Sequence, residues 1–151
     1  LFPYTTLFPI LKGEELPLQW KNIIRRTYAS VGNKFENGEF KSGVKEMFNL
    51  TKQGNDFFDK NKPWILINNN KKKCEEVLYI CSQILVALTD LMNPIIPFTC
   101  EKIKMFLGIK DTKWSFKERK NIRVNRVEFL FDKIDKKAYI EELNRLKNKK
   151  I

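Results

Sequence analysis

Trp64 stands beside Lys60, Asn61 and Lys62 in the run Asn55-Asp-Phe-Phe-Asp-Lys-Asn-Lys-Pro-Trp64. A flat indole next to ammonium groups can stack on an unpaired nucleic-acid base while the cations hold its phosphates. The same ring can instead anchor a corner by packing beneath it, because large aromatics at helix ends are often core. Other chemistries are thinly served. Asp56 and Asp59 share a helix face at i and i+3, a pattern that solvated helix-end charge explains. Cys74, Cys81 and Cys100 form no C-x-x-C pair, and the chain has no histidine, so a zinc site would need a ligand of another type. The expectation is free thiols in a reducing compartment, with no metal site. No P-loop, G-x-S-x-G or G-x-G-x-x-G run occurs.

The elements that must position this corner are helical. Trp20, Ile23, Ile24, Tyr28 and Val31 recur at spacings of three and four, which predicts a helix over about 18–35. Asn37-Gly38 supplies a turn. Phe40, Val44, Met47, Phe48 and Thr51 continue the period in a second helix over about 39–60, with Phe58 extending it. Gly43 and Gly54 weaken that helix and suit close approach by a neighbour. Lys62-Pro63 ends it, since the residue before a proline is pushed out of helical geometry. Residues 68–73 read as a polar connection. Val77, Ile80, Cys81, Ile84, Leu85, Leu88 and Leu91 give the third helix, about 72–92, the broad apolar face of a central bundle element. Pro94 and Pro97 interrupt it, and a fourth helix over about 98–107 stops at Gly108. Trp114 and Phe116 read as buried loop anchors. Residues 122–131 read as a short extended segment, and 138–150 as an amphipathic helix with Tyr139, Leu143 and Leu146 on one side.

The predicted fold is therefore all-α, a bundle of about four to five helices with a short extended segment before the C-terminal helix. Its 151 residues, 42% of them apolar, allow one real core. Residues 1–10, with Leu-Phe-Pro twice and no helix or strand period, resemble translated adaptor sequence and are set aside. The bundle is expected over 11–110, and over 111–151 a loop, extended segment and helix that pack back on it. A formal charge of +11 favours a polyanionic partner, although a lysine-, asparagine- and isoleucine-rich composition can produce the same charge without a binding role. No apolar run reaches membrane-spanning length and no secretory signal is present, so a cytoplasmic location away from membranes is expected.

In order, these segments resemble the anticodon-binding domain of methionyl-tRNA synthetase, a class I aminoacyl-tRNA synthetase. The resemblance rests on Gly38-Glu-Phe40, Asn55 to Asp59 with Lys62-Pro-Trp64, Leu91-Met-Asn-Pro-Ile-Ile-Pro97, Glu101-Lys-Ile103 with Leu107-Gly108, Trp114, and Val127 to Asp135. It implies a bundle that binds tRNA at a splayed anticodon loop, with Trp64 as the stacking residue and Lys60, Asn61 and Lys62 around it. The family also uses an Asn-x-x-x-Arg pair on an earlier helix. Asn22 and Arg26 have that spacing but lie closer to Trp64 than the family arrangement does, so they remain secondary candidates and the true pair is expected upstream. Lys71 and Lys72 are secondary candidates for phosphate contacts. Phe129 and Asp132 stand where the family often has proline.

The resemblance further implies a parent ligase that uses ATP with magnesium and acts on initiator and elongator methionine tRNA. The chain has no H-I-G-H or K-M-S-K-S motif, so as it stands it is expected to be a C-terminal fragment that lacks the catalytic domain and cannot aminoacylate alone, with no cofactor of its own. The competing readings are a free-standing tRNA-binding module, the corresponding domain of a related class I synthetase, and a protein–protein module whose charge is compositional.

Overall fold

The computed structural model describes residues 10–12, 15–111, 113–125, 128–131 and 135–148. Residues 1–9 of the expected leader, 126–127 and 132–134 of the closing segment, and the terminal lysines at 149–150 lie outside the described residues. Among the described residues, six helices and two short strands follow in the order β1 (Ile10–Lys12), α1 (Leu18–Glu36), α2 (Phe40–Asn61), α3 (Pro63–Asn69), α4 (Lys71–Met92), α5 (Pro97–Leu107), β2 (Asn121–Arg123) and α6 (Lys136–Asn148). The all-α expectation holds.

Helix α1 buries Trp20, Ile24, Tyr28 and Val31, the stripe its spacing predicts. Gly38 then turns the chain at φ +75°, a left-handed conformation that costs glycine little. The two glycines of α2 serve helix contact: a methyl group on Gly43 would overlap the Phe35 ring, and one on Gly54 would sit 3.2 Å from Ile84 Cγ2. Helix α4 is buried almost all round, as a helix apolar on two sides must be. One side joins α1 and α2 through Ile80, Ile84, Ala87 and Leu91. Cys74, Leu78 and Val86 on its other side join Leu107, Ile109, Leu11 and Ile122.

Several expectations are corrected. Pro63 does not only end α2; it opens α3, which replaces part of the expected loop. Proline is favoured at a first helical position, where its missing N–H is not needed. Ile10 belongs to β1, which pairs antiparallel with β2 (Ile10 opposite Arg123, Leu11 opposite Ile122), so the last residue of the 1–10 stretch is part of the fold. Phe40 and Phe48, expected on the apolar stripe of α2, are both 61% exposed. Trp114 is half-exposed, resting edge-on to Tyr28 and over Gly32. The amphipathic C-terminal helix is present as α6, yet none of its described residues is buried.

Polar side chains tie the 111–123 segment to α4. Gln83, fully buried, donates from Nε2 to the Arg119 carbonyl at 2.7 Å and accepts from the Arg119 N–H at 3.0 Å. Asp90 accepts from the Tyr28 hydroxyl at 2.9 Å, and burial raises its pKa. Glu118 accepts from the Leu16 N–H at 2.7 Å and the Tyr79 hydroxyl at 2.8 Å, and pairs with Lys21 at 3.2 Å. Burial alone would raise the Glu118 pKa, but those three partners outweigh it and hold the carboxyl below its ordinary 4.5.

A folded-state pKa below the unfolded one means that Glu118 stabilises the fold above about pH 4.5, and that this contribution disappears as pH falls through the lowered value. Urea unfolding of the Glu118→Gln protein should therefore lose less stability between about pH 5 and pH 3 than the parent. An equal loss in both would place the acid sensitivity elsewhere.

Candidate nucleic-acid interface

Helices α2 and α3 meet at one residue. Lys62 adopts φ 46°, ψ 61°, and is the one non-glycine residue with positive φ among the described residues. Its N–H donates to the Phe58 carbonyl at 3.0 Å, closing α2, while its own carbonyl accepts from Ile65 N–H at 2.8 Å and Leu66 N–H at 3.1 Å, opening α3. Pro63 is buried behind it, and its carbonyl accepts a hydrogen bond from Cys74 Sγ at 3.4 Å. The chain direction is thus fixed on both sides of Trp64.

Trp64, on the first turn of α3, is 45% exposed. Its ring leans on Phe58, centroids 5.7 Å apart and planes tilted by 52°, and Phe58 packs against the core around Cys74 and Leu78. Ile65, next in line, is also exposed. The result is an aromatic held from one side and open on another. Lys60 and Lys62 are exposed and take part in no ion pair among the described residues. Asn61 is half-buried, and its Nδ2 donates to the Phe57 carbonyl at 2.8 Å, which commits one amide hydrogen to α2.

The secondary candidates lie apart. Asn22 and Arg26 are exposed on α1, and no hydrogen bond or ring contact joins them to the Trp64 corner among the described residues. Lys71 and Lys72 begin α4, capped by Asn70 Oδ1, which accepts from the Lys73 N–H at 3.0 Å. Lys72 lines a groove of about 610 Å³ together with Lys73, Lys120, Glu15, Glu75 and Glu76, so both signs of charge meet there. The support from Phe58 and the exposure of Ile65 were not read from sequence; the signal available was proline's preference for a helix start.

The cysteines offer no activated thiol. All three cysteines are free, as expected, and burial raises their pKa values, that of Cys81 to about 12. Such thiols are poor nucleophiles near neutrality. No helix among the described residues is long and apolar enough to cross a membrane.

Residues 14–147 match the family model described as the anticodon binding domain of methionyl tRNA ligase. The chain belongs to this family. The domain is 35% identical over 120 residues to the methionine–tRNA ligase of Streptococcus pneumoniae (strain CGSP14), an alignment covering 80% of the chain and 22% of that protein. It is 29% identical over 137 residues to that of Bacillus cereus (strain 03BB102), covering 91% of the chain and 25% of the relative. The chain therefore spans about a quarter of the length of these relatives. A crystal structure of free-state Mycobacterium tuberculosis methionyl-tRNA synthetase superposes on the domain with a TM-score of 0.76 at 15% identity, over 87% of this chain and 30% of that one, which is a likeness of fold.

The left-handed Lys62 costs about 1–2 kcal/mol that glycine would not. Lys62→Gly should therefore stabilise the domain against urea by about 0.5–1 kcal/mol, after the greater freedom of glycine in the unfolded chain is counted. A destabilised variant would show that the lysine side chain itself holds the corner.

Proposed function

We propose that this domain recognises the anticodon of methionine tRNA, initiator and elongator alike, as part of a methionine–tRNA ligase, with Trp64 stacking on an anticodon base. Lys60 and Lys62 hold neighbouring phosphates, and Asn61 offers its remaining amide hydrogen and its oxygen to a base edge. The observation that carries this reading is the exposed Trp64 ring, braced by Phe58 at a corner whose backbone is fixed by Lys62 and Pro63. A braced ring loses little freedom on stacking, so more of the interaction reaches the affinity.

The domain supplies binding and orientation, and the catalytic part of such a ligase supplies the chemistry with ATP and magnesium. No cluster of three or more His, Cys, Asp or Glu side chains among the described residues is placed to hold a metal. Asn22, Arg26, Lys71 and Lys72 contribute at most to general attraction for RNA, which weakens steeply with salt. A cytoplasmic setting accompanies this role.

Replacing Trp64 with alanine should weaken binding of a methionine-anticodon stem-loop by about 1–3 kcal/mol and reduce its preference over a stem-loop with a changed anticodon, with the urea midpoint little altered. Unchanged affinity together with a collapsed midpoint would make Trp64 a core residue.

A further inference from the structure

Helix α2 turns an unusual face to solvent. Lys41, Lys45, Phe48 and Lys52 follow one another at i, i+4, i+7 and i+11, one stripe of an α-helix. All four are exposed, Phe48 at 61%, whereas Gly43, Met47 and Leu50 face the core. None of the three lysines takes part in an ion pair among the described residues, while Lys34 and Glu46 of neighbouring positions pair with each other at 3.8 Å. A phenyl ring pointing away from the core leaves its apolar area in water, and three ammonium groups that form no ion pair among the described residues surround it. Both features are relieved by one kind of occupant, a polyanion with flat apolar faces.

We infer that this stripe is a second RNA contact, in which Lys41, Lys45 and Lys52 hold phosphates of a single-stranded segment and one unpaired base stacks on Phe48. The inference rests on the reading of the domain as an RNA binder. It adds a surface about 21 Å along the same helix from the Lys62 corner, measured from Phe48 at the rise of an α-helix. An RNA loop anchored at Trp64 would extend its flank along α2. The two sites divide the work: phosphate contacts and stacking on Phe48 strengthen binding without reading sequence, and Trp64 carries the anticodon preference.

The test measures the affinity of the full chain for two RNA stem-loops, one with the methionine anticodon and one with a changed anticodon, across a salt series. The variants are Lys41→Gln/Lys45→Gln/Lys52→Gln, Phe48→Ala and Trp64→Ala. The triple variant should weaken both stem-loops equally and reduce the slope of log affinity against log salt by about 2, close to the 0.7 per phosphate expected for single strands. Phe48→Ala should weaken both by between about 5- and 150-fold, the range of one base stack. Neither should change the preference between the two RNAs, and melting temperatures should stay put because all four side chains are exposed. Parent-like affinity and salt slope in the triple variant, with Trp64→Ala still impaired, would overturn the second contact and leave the anticodon reading standing. Failure of the parent to bind either stem-loop at low salt would instead overturn the anticodon reading. Binding of polyglutamate that needs the three lysines, alongside RNA binding that does not, would reassign the stripe to an acidic protein partner.

Discussion

A proline has no N–H to leave unsatisfied at the start of a helix, and it forbids helical geometry to the residue before it. The pair Lys62-Pro63 uses both properties at once. Lys62 leaves the helix at positive φ rather than in the extended region usual before proline, α2 stops on its N–H, and α3 starts on its carbonyl. Trp64 is the first large side chain after this forced change of direction, so its placement follows from backbone geometry more than from its own packing. The cost of a left-handed lysine is met by burial of Pro63 and by the contact of Phe58 with the indole.

That corner needs a rigid support, and α4 supplies it. Because α4 is buried on two sides, it separates a core shared with α1 and α2 from one shared with α5 and the β1–β2 pair. Cys74 of α4 reaches the Pro63 carbonyl directly. Farther along, Gln83 and Tyr79 bind the 118–119 segment, and Asp90 binds Tyr28. These polar contacts sit where a wholly apolar helix would slide, and each leaves a costly unsatisfied group if its partner is lost. Membership of the anticodon-binding family and this support fit together: a surface that meets RNA gains from a ring that does not wander.

Much of this was legible in the sequence, for identifiable reasons. The long helices α1, α2, α4 and α5 carry a 3.6-residue period strong enough to mark their ends within a residue or two. Pro63 was harder, because a proline signals both an end and a beginning, and only the first was read. The β1–β2 pair is too short for any period, and its partners lie more than a hundred residues apart. Phe48 fits the apolar period of α2 by residue type, and nothing local says that its side of the helix lacks a neighbour. The amphipathic pattern of α6 likewise shows a face without showing what covers it. The Gln83–Arg119 and Glu118 contacts join distant residues whose pairing has no local signature. Trp64 was found because its residue type, its cationic neighbours and the adjacent proline coincide.

The account depends on a solvent-facing indole at the α2–α3 junction meeting an RNA base. Fluorine NMR of the protein labelled with fluorotryptophan tests this most directly, because the three tryptophans give separate lines and Trp64→Phe identifies one of them. On titration with a methionine-anticodon stem-loop, the Trp64 line should move and saturate with the binding curve, while the line of Trp20, buried in the core, stays in place. An RNA that binds tightly and leaves the Trp64 line where it was would contradict the account.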